Sequence, residues 1–102
     1  MSMNKEILMV VDAVSNEKGV EKEIIFEAIE AALASATRKR HGDDIDVRVA
    51  IDRESGDYET FRRWLVFEDE STELEFPDRE LRMQDAVDVN PDAEPGGFVE
   101  EP

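Results

Sequence analysis

Apolar and polar residues alternate one by one through the middle of the chain. Ile45, Val47, Val49 and Ile51 fall on one parity, and Asp46, Arg48, Ala50 and Asp52 on the other. A period of two with β-branched residues on one side marks a half-buried strand. Glu54-Ser55-Gly56-Asp57 follows with turn chemistry: Gly56 takes a positive φ without steric cost, and Ser55 and Asp57 bond nearby backbone. From Tyr58 to Phe67 the alternation is less clean. Tyr58, Thr60, Arg62, Trp64 and Val66 share one parity, Phe61, Arg63, Leu65 and Phe67 the other, and both are apolar at the far end. Either a bulge near Phe61-Arg62 switches the facing, or the strand is central with partial cover on its second face. We favour the central strand, with Trp64 assigned to packing.

Ahead of this hairpin the period lengthens to that of a helix. Ile7, Val11 and Val14 recur at i, i+4 and i+7 within Asn4 to Asn16, with Leu8 and Val10 widening the stripe. Asn4 is the expected N-cap, Glu6 suits the positive end of the helix dipole, and Gly19 suits a left-handed C-terminal cap. A second helix is expected from Glu21 to Arg40. Ile24, Ala28, Ala31 and Ser35 form one row, and Ile25, Ile29, Ala32, Leu33 and Ala36 the next, with Phe26 near the start. Ala28, Ala31, Ala32 and Ala34 are small enough for a neighbouring backbone to come close, so core packing is expected there. Arg38, Lys39 and Arg40 complement the negative end of the dipole, and His41-Gly42 is read as the boundary.

After the hairpin, Glu68 to Glu75 is a polar connection, and Pro77 breaks any long strand. A short third strand is expected over Arg79 to Arg82 with Leu81 inward. One helical turn follows over Met83 to Val87, with Met83 and Val87 on one face. Beyond Asp88, Asn90-Pro91-Asp92, Pro95-Gly96-Gly97 and Glu101-Pro102 are linker signals. The fold class is therefore α+β: two N-terminal helices on a small, mainly antiparallel sheet of about three strands, then a short helix and an irregular acidic tail.

At 102 residues this is one domain with one modest core. Charge sharpens the picture. The net charge of −15 is uneven: residues 1–67 carry −4 and residues 68–102 carry −11. A phosphate backbone is repelled by that mean field, so any RNA contact needs a local basic patch. Two exist on composition: Arg38-Lys39-Arg40, and Arg62-Arg63 beside Trp64. Paired arginines beside aromatics can grip phosphate or carboxylate, and can equally serve as dipole compensation and ion pairs. The tail offers a rival reading, an acidic module that binds a basic partner or imitates nucleic acid.

No catalytic, cofactor or metal site is expected. There is no cysteine and one histidine, which removes thiolate zinc sites and nucleophilic triads. No phosphate-cradling glycine loop is present. Asp52 to Asp57 only faintly resembles a calcium loop, with its glycine one place early and no late bidentate glutamate. No apolar run is long enough to span a membrane, and the N-terminus has no signal-peptide pattern, so the expected location is the cytoplasm. The second Met at position 3 leads us to expect residues 1–2 to be an appended dipeptide before a natural start at Met3.

Several stretches together resemble a known family. MNKEILMVVDAVSNEKGVEKEIIFEAIEAALASATRKRHG followed by IDVRVAIDRESGDYETFRRWLVF, with LRMQDAVDVNPDAEPGGFVEE near the end, is similar to the N-terminal domain of the bacterial transcription elongation, termination and antitermination factor NusA. The resemblance runs from Met3 through essentially the whole chain. It implies a non-enzymatic head domain over residues 3–87, with residues 88–102 beginning a connection to S1 and KH RNA-binding domains that are absent here. It implies docking on RNA polymerase at the flap tip of the β subunit, beside the RNA exit channel, where such domains modulate pausing and termination. The implied partners are RNA polymerase, nascent RNA (mainly through the absent domains) and other antitermination factors. Arg38, Lys39, Arg40, Arg62 and Arg63 are the residues expected to face polymerase and RNA.

Overall fold

The computed structural model describes residues 3–102; the expectation of an appended dipeptide at residues 1–2 lies outside the described residues. The elements in chain order are α1 (Met3–Lys18), α2 (Lys22–Arg40), β1 (Asp46–Ile51), β2 (Tyr58–Phe67), β3 (Glu80–Arg82), α3 (Met83–Val89) and β4 (Phe98–Glu101). This is the expected α+β class.

β2 is the strand to which the other three pair. β1 runs antiparallel to it over six uninterrupted pairs, from Asp46 opposite Arg63 to Ile51 opposite Tyr58, so there is no bulge near Phe61-Arg62. β4 pairs antiparallel with Arg62 to Leu65, and β3 pairs parallel with Leu65 to Phe67. The Leu65 N–H donates to Arg79 O and the Val66 N–H to Gly97 O, each at 2.9 Å. Successive amides of a strand point to opposite edges, so both edges of β2 are in use here. The double apolar parity of this strand reports its two faces: Trp64 and Val66 are buried in the core, and Phe61 on the other face lies under Arg48.

One face of the sheet carries the core. Cross-strand partners share a face, so Val47, Val49 and Ile51 of β1 lie on the same side as Trp64 and Val66 of β2 and Val99 of β4. Buried side chains fall into three clusters along that face. Val11, Phe26 and Ile51 sit near the hairpin turn, and Ala34, Val47 and Val49 under the middle of α2. Trp64, Val66, Ala86, Ala93 and Val99 lie beneath α3. A row of clusters rather than one ball accounts for the elongated extents of 52 × 27 × 26 Å. Each fully buried aliphatic side chain, Val11, Val66 and Val99 among them, stabilises by roughly 1.5–3 kcal/mol through removal of apolar surface from water.

α1 buries its expected stripe, with Val11 in the core and Ile7 and Leu8 beside it, although Val10 is 52% exposed; α2 departs from expectation in its first row and its alanines. Ile24 is 53% exposed, and Ala28, Ala31 and Ala32 also face solvent. Burial falls instead on Phe26 and Ala34, with Ile25, Ile29 and Leu33 half-buried beside them. An aromatic ring removes far more surface from water than alanines do, so Phe26 determines which side of α2 turns inward. Asn4 is not the N-cap either, because α1 already includes Met3. The Asn4 amide donates instead to the Asp57 carboxylate in the hairpin turn. Gly19 does adopt the left-handed cap, with φ 65.

β3 begins at Glu80, close to the expected third strand. α3 is longer than one turn, and Val87 is exposed while Met83, Ala86 and Val89 turn toward the core. Its N-cap position, Arg82, makes no side-chain cap bond. The cap comes from elsewhere: Asp69 Oδ1 accepts the Gln84 N–H at 2.8 Å. Arg82 donates to Asp69 O at 2.6 Å and Ser71 O at 2.9 Å, holding that acidic loop against the helix. The expected irregular tail is the main correction. Phe98 to Glu101 forms a fourth strand, and Ala93 and Val99 are buried in the core. The turn-rich residues 90–97 are a tight connection from α3 to β4, which lies along β2.

Candidate functional site

The five basic residues singled out in the sequence do not form one cluster. Arg62 and Arg63 are adjacent in β2 and so point to opposite faces of the sheet. Arg63 lies on the face away from α2, with Nε 3.7 Å from Asp46 and 3.8 Å from Glu100, and its guanidinium 3.7 Å from the Phe98 ring centroid. Arg48 joins it there. Its Nε and an Nη donate to the two Glu100 carboxylate oxygens at 2.7 and 2.9 Å, and its guanidinium lies over Phe61. The Arg48 hydrogen bonds hold Glu100 below the usual carboxylate pKa. The second face is thus partly covered by arginines lying on aromatic rings, and its cations are neutralised. Mixed charges that close on each other in this way offer little to a phosphate.

Arg62 sits on the helix-covered face. Its guanidinium lies 4.7 Å from the Trp64 ring and an Nη donates to Asp78 O at 3.0 Å. It shares a shallow pocket of about 320 Å³ with Thr37, His41, Ile45, Val47 and Thr60. That pocket lies at the C-terminal end of α2, where Arg38, Lys39 and Arg40 also stand. Three consecutive helical residues fan through about 200° of the circumference, so this cationic tip faces several directions. None of the three has a carboxylate within ion-pair distance among the described residues, in contrast to Lys22, Arg48, Arg53, Arg62 and Arg63. The His41 N–H donates to Arg38 O at 3.0 Å and the Asp43 N–H to the same oxygen at 2.9 Å. Gly42 and Asp43 reverse the chain with φ 86 and 66. His41 is the cap of α2, as its place beside a glycine suggested.

Arg53 is a basic residue that sequence reasoning passed over. It donates to both Glu23 carboxylate oxygens at 3.0 and 2.6 Å, to Glu30 Oε2 at 2.6 Å and to Ile51 O at 3.0 Å, and lies over the Phe26 ring. Its role is to clamp the start of α2 to the end of β1. Nothing in its local sequence marks that role, since both glutamates lie more than twenty residues away. The carboxylates held below their ordinary pKa are turned to similar structural ends. Burial pushes Glu30 up, but the Arg53 and Ile51 donors outweigh it and leave it below its ordinary pKa. Asp52 is held low by the Ser55 and Glu54 N–H groups of the turn. A catalytic acid needs the opposite shift. Among the described residues no group of three or more potential ligands is placed to hold a metal ion, and no helix is long and apolar enough to cross a membrane.

Comparison with known proteins decides the family. The model of the NusA N-terminal domain matches residues 6–102. The chain belongs to the NusA N-terminal domain family. It is 33% identical over 98 residues to the transcription termination/antitermination protein NusA of Rickettsia conorii, a match covering 96% of this chain and 19% of that protein. The NusA of Rickettsia prowazekii matches with the same identity and coverage. The solution structure of the N-terminal domain of NusA from B. subtilis superposes with a TM-score of 0.72 at 35% identity, covering 97% of this chain and 77% of that one. The chain therefore spans about a fifth of the length of the curated NusA proteins it matches. In this NusA N-terminal fold, the cationic end of α2 stands out against an acidic surface.

Proposed function

We propose that this chain is the RNA polymerase-binding domain of a cytoplasmic transcription elongation, termination and antitermination factor. It docks at the flap tip of the β subunit, beside the RNA exit channel, and acts by contact rather than by chemistry. The observation that carries its orientation is the tip Arg38-Lys39-Arg40, unpaired among the described residues, on a chain of net charge −15. A basic tip on an acidic body directs itself toward phosphate and turns the rest of the surface away. Arg62 borders the same end of α2 through the shared pocket and extends this RNA-facing surface. Arg63, neutralised on the opposite face, has at most a polymerase-facing part.

Reversing all three charges of the tip to glutamate, with the fold verified by circular dichroism, tests the reading. Paused-complex lifetimes at a hairpin-dependent pause are expected to lose most of the lengthening that the wild-type chain confers. Undiminished pause enhancement by the folded variant would remove the tip from the interface.

A further inference from the structure

Residues 68–102 carry only two bases, Arg79 and Arg82, against thirteen acids. Within this acidic lobe a groove of about 340 Å³ runs beside β3. Leu74, Phe76, Pro77 and Leu81 supply its apolar surface, and Glu75, Glu80 and Asp85, with Arg82 among them, supply its charged lining. Phe76 is 45% exposed, and its backbone is held. Glu80 Oε1 accepts the Phe76 N–H at 2.6 Å and the Glu75 N–H at 2.8 Å, which holds the loop in place from below. Both bases of the lobe have contacts but keep their charge, and the three carboxylates of the groove outnumber its one arginine. Arg82 is tied to Asp69 O and Ser71 O, and Arg79 lies over the Phe76 ring at 4.0 Å. The Glu75 and Asp85 carboxylates have no ion-pair partner among the described residues.

We propose that this groove is a docking site for a cationic amphipathic segment of a partner protein. An exposed aromatic side chain on a loop whose backbone is already held needs little backbone ordering on binding, which favours affinity. The acidic rim selects lysine or arginine flanks and repels nucleic acid. This surface is separate from the basic tip of α2, and the proposal does not rest on the polymerase reading.

The test uses the isotopically labelled chain and an amphipathic helical peptide built of leucine and lysine. A peptide of the same composition with its periodicity scrambled serves as the control. Amide shifts are expected to concentrate on residues 74–85, and the scrambled peptide to bind more weakly. Phe76→Ala, at a half-exposed position that leaves the core intact, is expected to weaken binding about tenfold or more. Shifts spread over the whole acidic surface would overturn the proposal, as would equal affinity for the scrambled peptide or for Phe76→Ala. So would an absence of binding.

Discussion

Replacing Gly56 by alanine tests how the hairpin is joined to α1. Gly56 has φ 80, a conformation that costs a residue with a Cβ about 1–2 kcal/mol. It is also packed: a Cβ built there collides with the Asn4 carbonyl and meets Leu8 Cγ at 3.1 Å. The obstacle is backbone in the first turn of α1, so relief requires that turn to move. Forced overpacking of this kind costs a further ~1–3 kcal/mol. The sum is about 2–5 kcal/mol, equivalent to a Tm lower by on the order of 10–30 °C for a domain of this size. Gly96 and Gly19 supply the controls, with φ 85 and 65 and nothing within 4 Å of an added Cβ. Gly96→Ala and Gly19→Ala therefore carry the strain without the collision. Urea and thermal unfolding followed by circular dichroism should place Gly56→Ala at least about 1 kcal/mol below both controls. Equal losses in all three variants would refute the packing argument and leave only backbone strain.

Two further predictions follow from the polar clamps. Glu23, held low by its Arg53 hydrogen bonds, and Glu30, held low despite its burial, both sit below the ordinary carboxylate value of 4.5. Depressed native pKa values add stability that is fully present above the unfolded value and is lost as pH falls through the native one. Unfolding midpoints should thus drop on acidification below about pH 4.5, and Arg53→Gln should flatten that part of the profile; an unchanged slope would contradict the clamp. Asp69→Ala removes the carboxylate that caps α3 from a distant loop. It should cost about 1 kcal/mol and speed amide exchange at Gln84 and its neighbours, with little effect in α1 and α2.

Much of this fold is legible in residue order. The alternation from Ile45 to Ile51 places β1, and the double apolar parity of Tyr58 to Phe67 signals a strand with cover on both faces. The end of the chain is not legible in the same way. Phe98-Val99 is a single apolar pair among prolines, glycines and acids, too short for periodicity to register. It becomes a strand because β2 offers it an edge and because Val99 finds a place beside Trp64. The inward face of α2 is ambiguous for a related reason. Alanine and isoleucine rows compete on spacing alone, and the size of Phe26 decides between them. At the candidate site, the run Arg38-Lys39-Arg40 is visible at once, but its lack of ion-pair partners among the described residues is a fact of three dimensions. The split of Arg62 from Arg63 follows from strand geometry and could be read from sequence alone. The pairing of Arg63 with Glu100 could not, because β4 had no local signature.

The central proposal is that this NusA-family domain works by docking on RNA polymerase at the flap tip. The most direct measurement is the affinity of the purified chain for core RNA polymerase, with and without the flap-tip helix of the β subunit. We predict measurable binding to the intact enzyme and its loss, or a large weakening, when that helix is removed. Equal binding to both enzymes would contradict the account.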